Sequence, residues 1–147
     1  MIALLQRVSS ASVVVDGETI GDIDQGLLVF LGVEKGDGES QADRLLERVL
    51  GYRGFPDQDD KMTLYVKDIQ GGVLFVPQFT LAADTRQGIR PGFSTAAIPA
   101  EGERLFDYFV SQATKAHKNI ASGRFCAEMK VSLKNDGADT FLLSYLD

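Results

Sequence analysis

Few side chains in this chain can act as nucleophile, base or metal ligand. Cys126 is the only cysteine and His117 the only histidine in 147 residues. An internal disulfide, a Cys-x-x-Cys site and a zinc site of several histidines are therefore excluded, and little remains for a Ser-His-Asp relay. Asp57-Gln58-Asp59-Asp60 begins like a calcium loop. Met62 stands where such a loop needs glycine and Asp68 where it needs glutamate, so a solvated acidic turn is the reading. Gly92-Phe93-Ser94-Thr95-Ala96 is one glycine short of a nucleophile elbow, and no strand leads directly into it. Cys126 falls on the polar phase of an expected strand, where a thiol without a base or a cation beside it is inert. His117 ends an expected helix between Lys115 and Lys118. Its expected role is to cap that helix, where a cation meets the C-terminal dipole favourably.

The run Val76-Pro77-Gln78-Phe79-Thr80-Leu81 is different, because Gln78 and Thr80 interrupt an apolar strand at the same phase. Either these polar groups line a site at the strand end, or Pro77 ends pairing on an edge strand and both face water. The pattern alone leaves both readings open.

The elements that must position these residues are legible in outline. Asp16-Gly17 joins two apolar runs in the manner of a tight hairpin. Leu27 to Leu31 and Val73 to Val76, the latter after Gly71-Gly72, are apolar without alternation, as in strands covered on both faces. Ser40 is placed to cap a helix carrying Leu45, Leu46, Val49 and Leu50 on one stripe, with Gly51 as its stop. Pro99 opens a second helix with Leu105, Phe106, Phe109, Val110 and Ala113 inward, although Ile98 is a poor cap. Phe125, Ala127, Met129, Val131 and Leu133 alternate with polar residues as in a half-buried strand. Asn135-Asp136-Gly137 is expected as a turn, and Thr140 to Leu146 as a terminal strand. The expected architecture is α/β: one domain over residues 1–147, with a mixed sheet and two flanking helices.

The composition is 44% apolar and 24% charged. The apolar opening Met1 to Leu5 is too short for a signal segment and no run reaches the length of a membrane span, so a cytoplasmic protein without a membrane partner is expected. A net charge of −6 argues against a strong, sequence-independent grip on nucleic acid, which needs many cations to neutralise phosphates. Any RNA contact is expected to be local.

Read together, Gln6-Arg7-Val8, Gly32-Val33-Glu34, Gln78-Phe79-Thr80-Leu81, Arg90-Pro91, Gly123-Arg124-Phe125, Met129-Lys130-Val131-Ser132-Leu133 and Asn135-Asp136-Gly137 with Thr140 run through the whole chain in order. This ordered set resembles the D-aminoacyl-tRNA deacylase (D-tyrosyl-tRNA(Tyr) deacylase) family. The resemblance implies a deacylase-type fold. It also implies a hydrolase that cuts the ester between a D-amino acid, or mischarged glycine, and the 3′ end of tRNA as proofreading in translation. The implied partners are the acceptor end of aminoacyl-tRNA and a second copy of the chain, whose 137–138 loop reaches into the first copy's pocket; no cofactor is implied. Gln78, Phe79 and Thr80 are the implied catalytic segment. Main-chain N–H groups there hold the oxyanion, and the substrate's own 2′-hydroxyl assists. Gly137, Ala138, Phe125, Met129 and Arg90 are the implied substrate-binding residues, with Lys130 a further cation towards the acceptor end.

Two positions depart from the family pattern. Pro77 stands where the family has serine, and Ala138 where it has a proline preceded by a cis bond. Without proline the Gly137–Ala138 bond is expected to be trans, with weaker rejection of L-substrates. Two rival readings follow from the residues. One is a general small-ester hydrolase using Thr80, Ser94 or Cys126. The other is a catalytically weak relative that binds aminoacyl ends.

Overall fold

The computed structural model describes residues 1–145; Leu146, the last residue of the expected terminal strand, lies outside the described residues. The chain builds β1 (Ile2–Val15), β2 (Glu18–Ile23), β3 (Gly26–Gly32), α1 (Glu39–Gly51), β4 (Phe55–Pro56), β5 (Met62–Leu64), β6 (Gly72–Pro77), a 3₁₀ turn (Phe79–Ala82), α2 (Pro99–Ala116), β7 (Ile120–Ser122) and β8 (Lys130–Ser144). Asp16 (φ 51°) and Gly17 (φ 77°) make the expected tight link from β1 to β2. β1 is long enough to change partners. Its first half pairs with β3 from Ile2 to Val8 and its second half with β2 from Ala11 to Val15, while β8 runs antiparallel along both. β3, β6 and β7 are parallel, so the sheet is mixed, in the order β2-β1-β3-β6-β7.

The lack of alternation in β3 and β6 is explained by two separate cores. Leu27, Val29, Leu31, Val73 and Phe75 face α1 and α2, meeting Leu45, Val49, Leu105 and Phe109. Leu28, Leu74 and Val76 face the other way, against Val8, Val13, Val15 and Ile23. The sheet curls to do this: a Cβ on Gly21 of β2 would lie 3.1 Å from the Ser122 carbonyl of β7.

Several sequence expectations need correction. Gly38, not Ser40, is the N-cap of α1; Gln41 reaches back to accept the Gly38 N–H at 2.8 Å, leaving Ser40 inside the first turn. His117 ends α2, but its Nε2 donates to the Gly71 carbonyl at 2.7 Å, tying the helix end to the turn before β6 instead of covering the helix's own carbonyls. The strand expected from Phe125 begins only at Lys130. Gly123 binds the Phe75 carbonyl and Cys126 adopts a left-handed φ of 62°, so the chain turns between them. Asn135-Asp136-Gly137 is not a hairpin turn between two strands. It lies within β8, where Gln6 pairs with Thr140 and Val8 with Asn135, so that Arg7 alone faces the looped-out residues 136–139.

Candidate active site

β3 and β6 run parallel in register from Gly26↔Gly72 to Leu31↔Pro77, so their carboxyl ends lie side by side. Ligand sites form at such ends because the chain must leave the sheet there, exposing backbone groups that no longer pair. A cavity of about 940 Å³ opens at this edge, walled by Pro77, Gln78 and Phe79, the Phe93–Ile98 loop, the first turns of α2 and the Phe125–Met129 turn. Its lining is apolar apart from Gln78 and a few others; Lys35 and Glu128 are its charged members.

The 3₁₀ turn is set against the end of β3 by a glycine. The Gln78 N–H donates to the Leu31 carbonyl at 2.7 Å, and a Cβ on Gly32 would come within 2.9 Å of the Leu81 Cβ and 3.3 Å of the Gln78 carbonyl oxygen. A helical turn leaves its first N–H groups without internal partners. Among the described residues, those of Phe79 and Thr80 find no main-chain carbonyl. The Phe79 ring is exposed and tilts against Phe93, with centroids 5.3 Å apart. Gln78 Nε2 donates to Thr80 Oγ1, so this hydroxyl oxygen is an acceptor and has no base beside it. His117 cannot serve as that base. Its ring is held at Gly71, before the other end of β6, and the six residues of that strand span about 20 Å.

The structure brings together four of the eight site residues expected from sequence. Gln78, Phe79, Phe125 and Met129 line the cavity; Phe125 also packs against the core, and a Cβ on Gly102 would sit 3.1 Å from its ring. Thr80 is exposed and absent from the wall. Arg90 is exposed on the loop before Phe93 and is not a wall residue either, because Asp84 and Gly92 pair and turn the residues between them outward. Lys130 opens β8 as an exposed residue. Cys126 lines the cavity as an exposed thiol. Among the described residues no group of three or more His, Cys, Asp or Glu gathers as a metal site. Asp57 instead accepts Asp59 N–H, Lys61 N–H and the Thr63 hydroxyl, and these bonds, the Thr63 hydroxyl foremost, lower its pKa.

Gly137 and Ala138 lie away from this chain's own cavity, in a loop organised by Arg7. The Arg7 guanidinium meets the Asp139 carboxylate at 2.6 Å, the Asp136 carbonyl at 3.0 Å and the Gly54 carbonyl at 3.1 Å. Asn135 Nδ2 donates to the carbonyls of Arg7 and Asp139. The Gly137–Ala138 bond is cis, which corrects the expectation of trans: contacts with Arg7 and Asn135 on both sides, not a proline, set the backbone here. Arg7 is the one charged residue that is buried among the described residues, and its structural role was missed. A signal existed, since Arg7 falls on the same inward phase as Ala3 and Leu5.

A sequence profile described as D-Tyr-tRNA(Tyr) deacylase matches residues 4–144. A protein of Pectobacterium carotovorum subsp. carotovorum named D-aminoacyl-tRNA deacylase is 59% identical over 97% of this chain and 99% of its own length. One of the same name from Aeromonas hydrophila subsp. hydrophila is 60% identical over the same shares. The solved structure of a protein named c-Myc DNA Unwinding Element Binding Protein superposes with a TM-score of 0.95 at 34% identity, covering all of both chains. One described as a probable eukaryotic D-amino acid tRNA deacylase reaches 0.83 at 13% identity over 97% of each chain, a likeness of fold. With its end-to-end motifs, its cavity at the carboxyl ends of β3 and β6, and these matches over nearly its whole length, the chain belongs to the D-Tyr-tRNA(Tyr) deacylase family.

Proposed function

We propose that this protein hydrolyses the ester between a D-amino acid, or mischarged glycine, and the terminal adenosine of tRNA, as chirality proofreading in the cytoplasm. One observation carries the mechanism: the turn that walls the cavity at Phe79 carries two unpaired main-chain N–H groups, at Phe79 and Thr80, while the neighbouring hydroxyl has no base. Such a site stabilises charge and does not attack. The N–H groups hold the developing oxyanion, a contribution worth roughly 3 to 4 kcal/mol per donor in well-studied hydrolases. The adenosine 2′-hydroxyl supplies the assistance that a protein nucleophile would otherwise give. Gln78 positions the turn, and Phe79, Phe125 and Met129 form apolar walls for the aminoacyl-adenosine. The protein's net charge of −6 suits a site that grips only the acceptor end. It fits poorly with the DNA binding that the name of the 34%-identical protein carries. Incubation with D- and L-tyrosyl-tRNA, following loss of the ester, tests the reading; D-specific loss supports it. Cleavage of nitrophenyl esters without tRNA turnover would favour a general esterase.

Thr80→Ala separates the two mechanisms by magnitude. Losing one side-chain hydrogen bond costs about 1 kcal/mol, so deacylation should stay within about tenfold of wild type. Losing a nucleophile costs about 10⁶ in kcat, and activity at background would overturn the proposed chemistry.

The Gly137–Ala138 loop is assigned to the pocket of a second copy, making the site a property of a homodimer. Sedimentation at micromolar concentration should then give a dimer. A protein defective in the loop, mixed and refolded with one defective at Gln78, should recover about a quarter of wild-type activity, because each mixed dimer holds one intact site. Active monomer, or no recovery on mixing, would count against this assignment.

A further inference from the structure

The loop between Asp84 and Gly92 has no role in the cavity, yet it is built as a defined projection from its rim. Asp84 and Gly92 exchange two main-chain hydrogen bonds, at 2.7 and 2.9 Å. The Arg86 guanidinium closes on the Asp84 carboxylate with two contacts of 2.9 Å. The base of this hairpin is fused to the cavity edge: Thr95 Oγ1 donates to the Ala82 carbonyl at 2.5 Å, and Phe93, next after Gly92, packs on Phe79. Ile89 near the tip is 100% exposed. Two residues separate it from Gly92, so it stands three Cα steps, no more than about 11 Å, from the rim.

The local charge is opposite to that of the whole protein. Within the 84–92 hairpin Asp84 neutralises Arg86 and leaves Arg90 as the unpaired cation; no further carboxylate follows until Glu101, and Lys35 lines the cavity nearby, its N–H bonded to the Thr95 carbonyl. On a protein of net charge −6 this stretch beside the cavity meets a polyanion with cations and an apolar tip together. A fully exposed isoleucine costs solubility and offers nothing to this chain's own core, whereas single-stranded RNA presents splayed bases for apolar side chains and phosphates for arginines.

We infer that the 84–92 hairpin is the docking element for the single-stranded acceptor end of the tRNA, with Ile89 packing on a base next to the terminal adenosine and Arg90 meeting its phosphate. Arg86 holds the hairpin in shape through Asp84, whose carboxyl its guanidinium keeps down at about 2, so the clamp stays charged at every working pH. The inference rests on the deacylase reading and supplies that reading with the contact outside the cavity that distinguishes tRNA from its last nucleoside.

The test compares two substrates, D-tyrosyl-tRNA and 3′-O-D-tyrosyl-adenosine, which has neither the phosphate nor the preceding base. For Ile89→Ser and Arg90→Gln, KM on the tRNA should rise about fivefold with kcat unchanged, and for Arg90→Gln the log–log salt slope should shrink by about one. Turnover of the adenosine ester should match wild type for Ile89→Ser. Unchanged KM on tRNA, or equal losses on both substrates, would overturn the docking role while leaving the deacylase reading intact. Wild-type protein that cleaves neither substrate would overturn the deacylase reading itself.

Discussion

Arg7→Met is expected to lower kcat/KM for D-aminoacyl-tRNA about 100-fold, the cost of displacing a positioned group by about 1 Å. The substitution keeps an apolar stem on the inward phase of β1 but removes the guanidinium that binds Asp139, the Asp136 carbonyl and the Gly54 carbonyl. The loop at residues 136–139 then loses the group around which it is folded. Its stability cost should be smaller than for a fully buried pair, where breaking one side costs about 3 to 5 kcal/mol. Asp139 is 31% exposed and can be rehydrated, so the low end of that range is the ceiling. Arg7→Lys should recover little, because an ammonium cannot make the forked contacts to three acceptors at once. Urea titration and deacylation rates on the same samples check the result. A variant as stable and as active as wild type would show that the loop is held by something other than Arg7.

The second large effect comes from glycines at opposite ends of one strand. A Cβ on Gly26 would lie 1.9 Å from the Gly72 carbonyl oxygen and 2.7 Å from its nitrogen, where β3 and β6 begin their parallel pairing. These are backbone atoms and cannot turn aside, so Gly26→Ala should destabilise by about 3 kcal/mol or more, at the severe end of overpacking. The molecules that do fold should retain their activity, since the cavity lies at the far end of the strands. Gly32→Ala should act on the site as well as on stability. Its Cβ meets the Leu81 Cβ at 2.9 Å and the Gln78 carbonyl oxygen at 3.3 Å, neither of them a flexible side-chain end, so the 3₁₀ turn must shift as a body, at a cost in stability smaller than that of the 1.9 Å overlap at Gly26. That shift moves the Phe79 and Thr80 N–H groups, and kcat should fall about 10- to 100-fold with KM much less affected. If the two substitutions lose stability and activity in equal proportion, the division of β3 into a folding end and a functional end is wrong.

Much of the fold was open to inspection in the residues themselves. The apolar runs of β3 and β6, the helical stripes of α1 and α2 and the Asp16-Gly17 turn depend on local pattern and on one rule, that apolar side chains leave water. The site segment was partly visible for the same reason: Gln78 and Thr80 break an apolar strand, and the ordered motifs named the family. Local pattern did not reveal which carbonyl would recruit the His117 ring, nor that Gly38 would cap α1 with the help of Gln41. The extra residues of β8 opposite Arg7 were likewise hidden. A strand's register is set by its partner, and Asn135-Asp136-Gly137 reads as a hairpin turn until β1 lies alongside. Which loop carries the bond at Ala138, where the Arg7 charge is satisfied, and which backbone N–H groups are left unpaired at Phe79 and Thr80 are decided by atoms far apart in sequence. Those contacts exist only once the sheet has curled and brought the ends of its strands together.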